Sequence, residues 1–374
     1  MQATASLHSI AWQEEILNYW LEHHHEHRFV IFLAPHTKLL LSSNQSKINF
    51  QIVVVKAPVS VLQLFTWYNI QLPLKLKKLK VDVLIQSFGA TSFTTRRPQL
   101  SLIEHFHSKQ KLNNWLPLSY RIYNKVFTKK WLLKATALIV IGTSSKSELV
   151  KQYPFLDKKT TVSNPFASPH YVPISFEPQQ QTMDSYADGR MYFLFTGGNV
   201  PHHNLVGVLK AFSIFKKWQK SNMKLLIAGE FLEQPVLKDD VMEKLSYYKY
   251  KEDIVLLKDI TKVQLALITA SAYAVISPSI SNTNLFETLN ASQAGTPVIA
   301  SNRDEVIEIA GTACQFVNPE DVDSIATEIK LLYKDEELRK NLVTNGKEQA
   351  SKYSLKQTAE TIWQVLQSSI IHQR

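Results

Sequence analysis

Short runs of apolar residues recur along this chain, at 29–33, 50–55, 81–85, 100–103 and 137–141, and again at 192–195, 224–228, 254–257, 274–277, 297–300 and 315–317. Within each run the hydrophobicity is continuous rather than alternating, which is the pattern of strands whose sheet is covered by helices on both faces. The segments between them carry helical spacing, with Leu205, Leu209, Phe212 and Phe215 forming one such stripe. Strand and helix alternating in this way predict an α/β chain of two doubly wound, Rossmann-like units. A length of 374 residues, about twice that of one ordinary domain, agrees with two. The polar stretch 178–190 (PQQQTMDSYADGR) has no periodic apolar signal and reads as the linker, giving domains at 1–177 and 191–374. Two such domains are expected to face a cleft at the carboxyl ends of their strands, where ligands of open α/β sheets bind. Residues 355–371 read as a closing helix of the second domain.

Composition narrows the class. At 45% hydrophobic and 20% charged the chain is a folded protein, not a disordered one. Its one cysteine, Cys314, forms no internal disulfide, so a reducing, cytoplasmic setting is expected, and Met1–Ala11 lacks the pattern of a secretory signal. The longest uncharged stretch, 263–286, is interrupted by Ser, Thr, Asn and Pro278 and reads as strand and loop rather than a membrane span. Charge is uneven: residues 1–180 hold 21 basic and 9 acidic residues, and 181–374 hold 21 and 23. A basic half points to an anionic partner. No nucleic-acid-binding signature accompanies it, so none is expected as partner. Lys75, Lys77, Lys78 and Lys80, with Lys125, Lys129, Lys130 and Lys134 beside Trp131 and Leu132, read either as a solvated face or as peripheral contact with the anionic inner face of a membrane.

Two segments concentrate candidate chemistry. In 193–205 (FLFTGGNVPHHNL) a strand ends at Gly197-Gly198 and a helix starts near Asn204. Only 10 glycines occur in the chain, so a Gly-Gly pair at a strand end is informative. Backbone amides and a helix dipole there suit a phosphate, with His202 or His203 adding charge. The plainer reading is a strand-to-helix turn capped by Asn204. In 277–300 (SPSISNTNLFETLNASQAGTPVIA) a strand runs into a polar loop, then a helix to Ala294, then Gly295-Thr296-Pro297 opening another strand. Among weaker candidates, Glu104, His105 and His107 follow the strand at 100–103, and His23-His24-His25 with His27 read as a solvated helix terminus rather than a metal site.

Taken together, the two segments resemble the donor half of retaining glycosyltransferases of family 4 (group 1), which have the two-Rossmann GT-B fold. The resemblance continues through Ser301-Asn302, Glu308–Gly311 and 316–321 (FVNPED) to 333–339 (YKDEELR) and Lys352-Tyr353-Ser354, and more loosely through 72–84 and 141–152. It implies transfer of a hexose from a nucleotide diphosphate sugar, as co-substrate, to a hydroxyl of a glycan, lipid-linked or polysaccharide precursor. Retention of configuration, no metal and no other cofactor are implied with it. The donor would contact Gly197, Gly198, His203, Asn204, Asn282, Asn290, Gly295 and Thr296. The catalytic set would be Glu287 with Glu104 and His105 on the acceptor side.

The sequence departs from the family at telling places. Its two donor-loop glutamates fall here on Asn282 and Asn290, leaving Glu287 as the loop's carboxylate, and its Arg and Lys against the diphosphate fall on Gly198 (or Asn199) and His203. Glu104-His105 stands for its His-Asp pair. Met1–Tyr19 already reads as the helix that follows the family's first strand. These replacements frame an alternative, a catalytically impaired binding or partner subunit.

Overall fold

The computed structural model describes residues 7–33, 50–56, 58, 60–87, 91–103, 118–197, 203–229, 242–243, 245–280 and 285–371. The chain divides into two compact units, one mainly of Ile10–Asn164 with Leu355–Arg374, the other mainly of Pro165–Ser354.

Unit one begins with α1 (Leu7–His23), β1 (Phe29–Leu33) and β2 (Phe50–Val54). Then α2 (Val61–Thr66) passes through a wide turn at Trp67–Gln71 into α3 (Leu72–Lys78), followed by β3 (Leu84–Ser87), β4 (Gln99–Ile103), α4 (Leu118–Lys134), β5 (Ala137–Ile141), α5 (Thr143–Gln152) and β6 (Thr160–Ser163). β1 and β2 pair in parallel, and β3-β4-β5-β6 form a second parallel sheet. The apolar run at 81–85 sits three residues ahead of the strand it marks. Val81 packs with Leu72, Leu76 and Leu84, so it serves the core from the approach to β3. β6, with sequence TTVS, has no apolar run, and among the described residues it pairs with β5 alone. Trp131 and Leu132 are buried, Trp131 against Phe127 and Phe93, so the surface role read for them is corrected; among the described side chains of α4, Val126 and Leu133 are exposed apolar ones.

Unit two runs α6 (Phe176–Ala187), β7 (Tyr192–Thr196), α7 (Leu205–Gln219), β8 (Lys224–Ala228), β9 (Ile254–Leu257), α8 (Lys262–Ser271) and β10 (Ala274–Ser277). It continues with α9 (Leu285–Ala294), β11 (Val298–Ser301), α10 (Asp304–Ala310), β12 (Cys314–Val317), α11 (Val322–Lys334) and α12 (Glu336–Ser351). Six parallel strands lie in the order β12-β11-β10-β7-β8-β9. β7 and β8 are buried at every residue, as their continuous apolar sequences require. Phe193 meets Phe212, Phe215 and Tyr273 edge to face, with centroids 5.4–6.5 Å apart. Fully burying a side chain such as Phe193, Phe212 or Phe215 contributes about 1.5–3 kcal/mol.

Two boundaries differ from those read in the sequence. The stretch 178–190 is mostly α6, whose buried side is short (Thr182, Met183 and Ala187) and therefore gives no long apolar period. The helix at 355–371, α13 (Leu355–Ile371), belongs to unit one rather than unit two. It is held there by Trp20 Nε1 donating to Ala359 O at 3.0 Å and Thr358 Oγ1 to Asn164 O at 3.0 Å. His24 stacks on Trp363 with centroids 4.0 Å apart and lies 3.3 Å from Glu360, while His23, His25 and His27 are exposed, as expected of a solvated helix terminus.

Candidate active site

In unit two the chain winds outward from β7 to β8 and β9, then lays β10, β11 and β12 on the other flank. Strand order therefore reverses between β7 and β10, the point at whose carboxyl end ligands bind in open parallel sheets. The loop after β7 leads into α7 and the loop after β10 leads into α9. Both helices direct their amino ends, the positive ends of their dipoles, to this edge.

Gly197 closes β7, its N–H donating to Ala228 O at 3.0 Å. A Cβ at this position would fall 2.9 Å from the Phe195 ring and 3.2 Å from both Cβ and Nδ1 of His203. His203 is only 6% exposed, so its ring is seated against the glycine, and the absent side chain is what lets it in. Asn204 follows in the left-handed region, φ +64°. Its side chain does not cap α7, as the plainer sequence reading had it. Instead Nδ2 donates to Pro278 O at 3.3 Å and to Pro319 O at 2.6 Å. One amide thus ties the loops that follow β7, β10 and β12. Gly207 is glycine for the same reason, since a Cβ there would lie 2.4 Å from Asn204 Oδ1.

On α9, Glu287 occupies the first turn and is 6% exposed, and Asn290, 7% exposed, lies one turn on along the same face. Asn290 Oδ1 accepts the Ser168 N–H at 2.7 Å. Gln293 Nε2 donates to Ser168 O at 2.9 Å and to Tyr171 O at 2.7 Å, and Phe166 meets Phe286 edge to face at 5.6 Å. The face bearing Asn290 therefore anchors the segment that enters unit two, and its amide oxygen is engaged in that.

Gly295 and Thr296 stand elsewhere. Gly295 ends α9, and Thr296 donates from N to Ala291 O at 2.9 Å and from Oγ1 to Thr269 O at 2.7 Å before β11 begins at Val298. They lie at the amino edge of the sheet, about 13 Å from its carboxyl edge at 3.3 Å per strand residue. A direct donor contact at Gly295 and Thr296 is corrected accordingly: helix, turn and strand place them at the wrong end, and they serve the turn. Gly198, Asn282, Glu104 and His105 lie outside the described residues.

Two further ionisable residues sit on elements that start at the carboxyl edge, and neither was singled out in the sequence. Glu305, in the first turn of α10 after β11, is fully buried. Lys262 opens α8 after β9, and burial pulls its ammonium pKa down to about 8. The Thr261–Gln264 capping box marks the start of α8 in the sequence, and Asp304-Glu305 reads as an ordinary acidic first turn. Burial, which sets them apart, leaves no local signal.

Comparison with known proteins agrees with this geometry. Residues 181–349 match the family Glycosyl transferases group 1. The O-antigen chain mannosyltransferase B of Escherichia coli is 24% identical over 231 residues, 61% of this chain and 60% of that protein, so the alignment spans less than two thirds of the relative. In fold, the chain is similar to WaaG, a glycosyltransferase involved in lipopolysaccharide biosynthesis (TM-score 0.72, 12% identity, 95% of each chain). It is also similar to Anabaena Alr3699/HepE in complex with UDP and glucose (TM-score 0.68, 13% identity, 96% of this chain and 95% of that one). The chain has the GT-B fold, and its likeness to the family Glycosyl transferases group 1 lies in residues 181–349.

Proposed function

We propose that this protein transfers a hexose, mannose in the first instance, from a nucleotide diphosphate sugar to a hydroxyl of a growing surface polysaccharide or its lipid-linked precursor, with retention and without a metal. The observation that carries the reading is the constellation at the β7–β10 reversal, where Gly197, His203 and Asn204 stand on one loop and Glu287 opens the helix beyond the other. In this reading the diphosphate lies against the amino end of α7 and His203, and Glu287 faces the reacting sugar. The bond from the anomeric carbon to the departing phosphate oxygen breaks as the bond to the acceptor oxygen forms, and the acceptor proton passes to the departing phosphate. Glu287 stabilises the positive charge that develops on the sugar. The mannosyl choice rests on the name of the E. coli relative, and the nucleotide on the UDP bound by HepE.

Thermal-shift measurements with guanosine and uridine diphosphate sugars check the donor. At 100 times its dissociation constant the matching donor adds about 2.7 kcal/mol to stability. No shift with any sugar nucleotide would remove the reading.

The acceptor side is read as membrane-proximal. No described helix is long and apolar enough to cross a membrane, but Leu74, Val126 and Leu133 are exposed on α3 and α4, the helices that carry the lysines. Binding to vesicles containing phosphatidylglycerol is expected to weaken sharply from low to high salt, as the Debye length falls from about 10 Å at 0.1 M to about 3 Å at 1 M. Binding equal at both salts would exclude lysine-driven contact.

A further inference from the structure

The loops that leave β7, β10, β11 and β12 are residues 197–204, 278–284, 302–303 and 318–321. These four strands are neighbours in the sheet, so their loops share the flank of the carboxyl edge at which the donor is read. Across all four loops the sequence holds one lysine or arginine, Arg303. The first turns of α7, α9, α10 and α11 add none. Carboxylates are plentiful by comparison. Glu287, Asp304, Glu305, Glu320, Asp321 and Asp323 all stand on these loops or first turns. A sugar-nucleotide diphosphate carries a negative charge on each phosphate. Helix dipoles and the histidines of 197–204 are a small counterweight for it beside so many carboxylates.

Arg303 follows β11 directly and is partly exposed. Its Nε is buried and has no hydrogen-bond partner among the described residues. Nη2 lies 3.8 Å from Glu320 Oε1, an ion pair too long for a hydrogen bond. Glu320 is exposed, so water screens the pair and its hold on the guanidinium is weak. The position suits a second partner. Pro319, next to Glu320, is the residue whose carbonyl Asn204 Nδ2 reaches at 2.6 Å, and Asn204 follows His203. Thr196 and Ser301, the last residues of β7 and β11, are buried, and their hydroxyls have no hydrogen-bond partner among the described residues. Buried polar groups are nearly always paired, so an edge that gathers unpaired ones is built for a polar ligand.

We propose that Arg303 is a diphosphate-binding residue: on donor binding its guanidinium turns from Glu320 to the phosphate oxygens, alongside His203 and the amino end of α7. The inference rests on the donor reading above and adds the permanent positive charge which that reading lacks. A guanidinium suits the task because its planar fork bonds two phosphate oxygens at once. When the bond to the anomeric carbon breaks, its electron pair stays on the departing phosphate oxygen, which then takes the acceptor proton. Negative charge on the diphosphate therefore grows towards the transition state, and Arg303 holds that state more strongly than the bound donor.

The test measures, by calorimetry on the full chain, binding of guanosine and uridine diphosphates and of the matching nucleosides, with a melting curve for each variant. In Arg303→Gln the diphosphate that the parent binds should lose about tenfold or more in affinity, while its nucleoside binds as before. Arg303→Lys keeps the charge and should recover part of the loss. Glu320→Gln frees the guanidinium and should bind the diphosphate at least as tightly as the parent. Undiminished diphosphate affinity in Arg303→Gln overturns the proposal. So does an equal loss in Arg303→Gln and Glu320→Gln, because that makes the ion pair structural. In both cases the parent still binds a diphosphate, and the proposed function stands. A parent that binds neither diphosphate removes that function, and the proposal with it.

Discussion

Glu287→Gln should lower the transfer rate by at least about a hundredfold while leaving donor affinity within a few fold. The side chains have the same shape, so the change removes charge and little volume. A group that acts mainly in the transition state lowers kcat and kcat/KM together and leaves ground-state binding largely intact. Removal of one preorganised electrostatic group is typically worth about 10²–10³ in rate. Glu287 is buried on α9, so a melting curve accompanies the kinetics. A variant that melts with the parent and loses only rate supports the assignment. A variant that keeps full activity shows that the reacting sugar meets another group, with Glu305, also buried and also opening a helix at the carboxyl edge, the first to examine. The companion change Asn290→Glu separates the two donor-loop positions. A carboxylate there can still accept the Ser168 N–H that Asn290 holds at 2.7 Å, so the segment stays anchored while the charge of the site changes.

The second large effect is expected at Asn204, and on stability. Asn204→Ala strips both donors from Pro278 O and Pro319 O and leaves a residue with a Cβ in the left-handed region. Each partly buried carbonyl left unpaired costs about 1–3 kcal/mol, and the backbone conformation roughly 1–2 kcal/mol more. The sum, on the order of 4 kcal/mol, should lower the melting temperature of unit two by roughly 8–16 °C at about 2–4 °C per kcal/mol. Asn204→Gly keeps the backbone at ease and removes only the bonds, so it should recover part of the loss. Equal melting of the Ala and Gly variants would show that the bonds alone matter. Parent-like melting of both would show that the three loops are held by other contacts. Donor binding should weaken in both variants, because the turn that presents His203 is the one that Asn204 ties down.

How far this was readable beforehand differs from place to place. Strands such as Tyr192–Thr196 and Lys224–Ala228 are legible because central positions in a parallel sheet demand apolar side chains on both faces, and a run of five leaves no other period. The loop at 193–205 stands out because glycine is scarce, and at Gly197 the missing side chain makes room for His203, a role the sequence reading did not name. Thr296 was placed wrongly for a physical reason. It is near Asn290 in sequence, but a ten-residue helix carries the chain from one edge of the sheet to the other before β11 starts. α6 escaped notice because a helix that buries only Thr182, Met183 and Ala187 has no stripe to read. The destination of the closing helix is also silent in the sequence. Its apolar face, with Ile362, Trp363 and Leu366 buried, would suit either unit, and the bond from Trp20 to Ala359 that settles it spans 339 residues. The engagement of Asn204 with two carbonyls 74 and 115 residues away is of the same kind.

The central claim is that the edge of unit two between β7 and β10 hands a sugar from a nucleotide to a hydroxyl with retention. The most direct measurement follows the anomeric proton by NMR as purified protein acts on α-linked guanosine and uridine diphosphate mannose and glucose in the presence of a lipid-linked oligosaccharide acceptor. The account predicts an α-linked product with one of these donors, formed by the parent and at least about a hundredfold slower by Glu287→Gln. A β-linked product, or α-linked product formed equally fast by the Glu287→Gln variant, would contradict it.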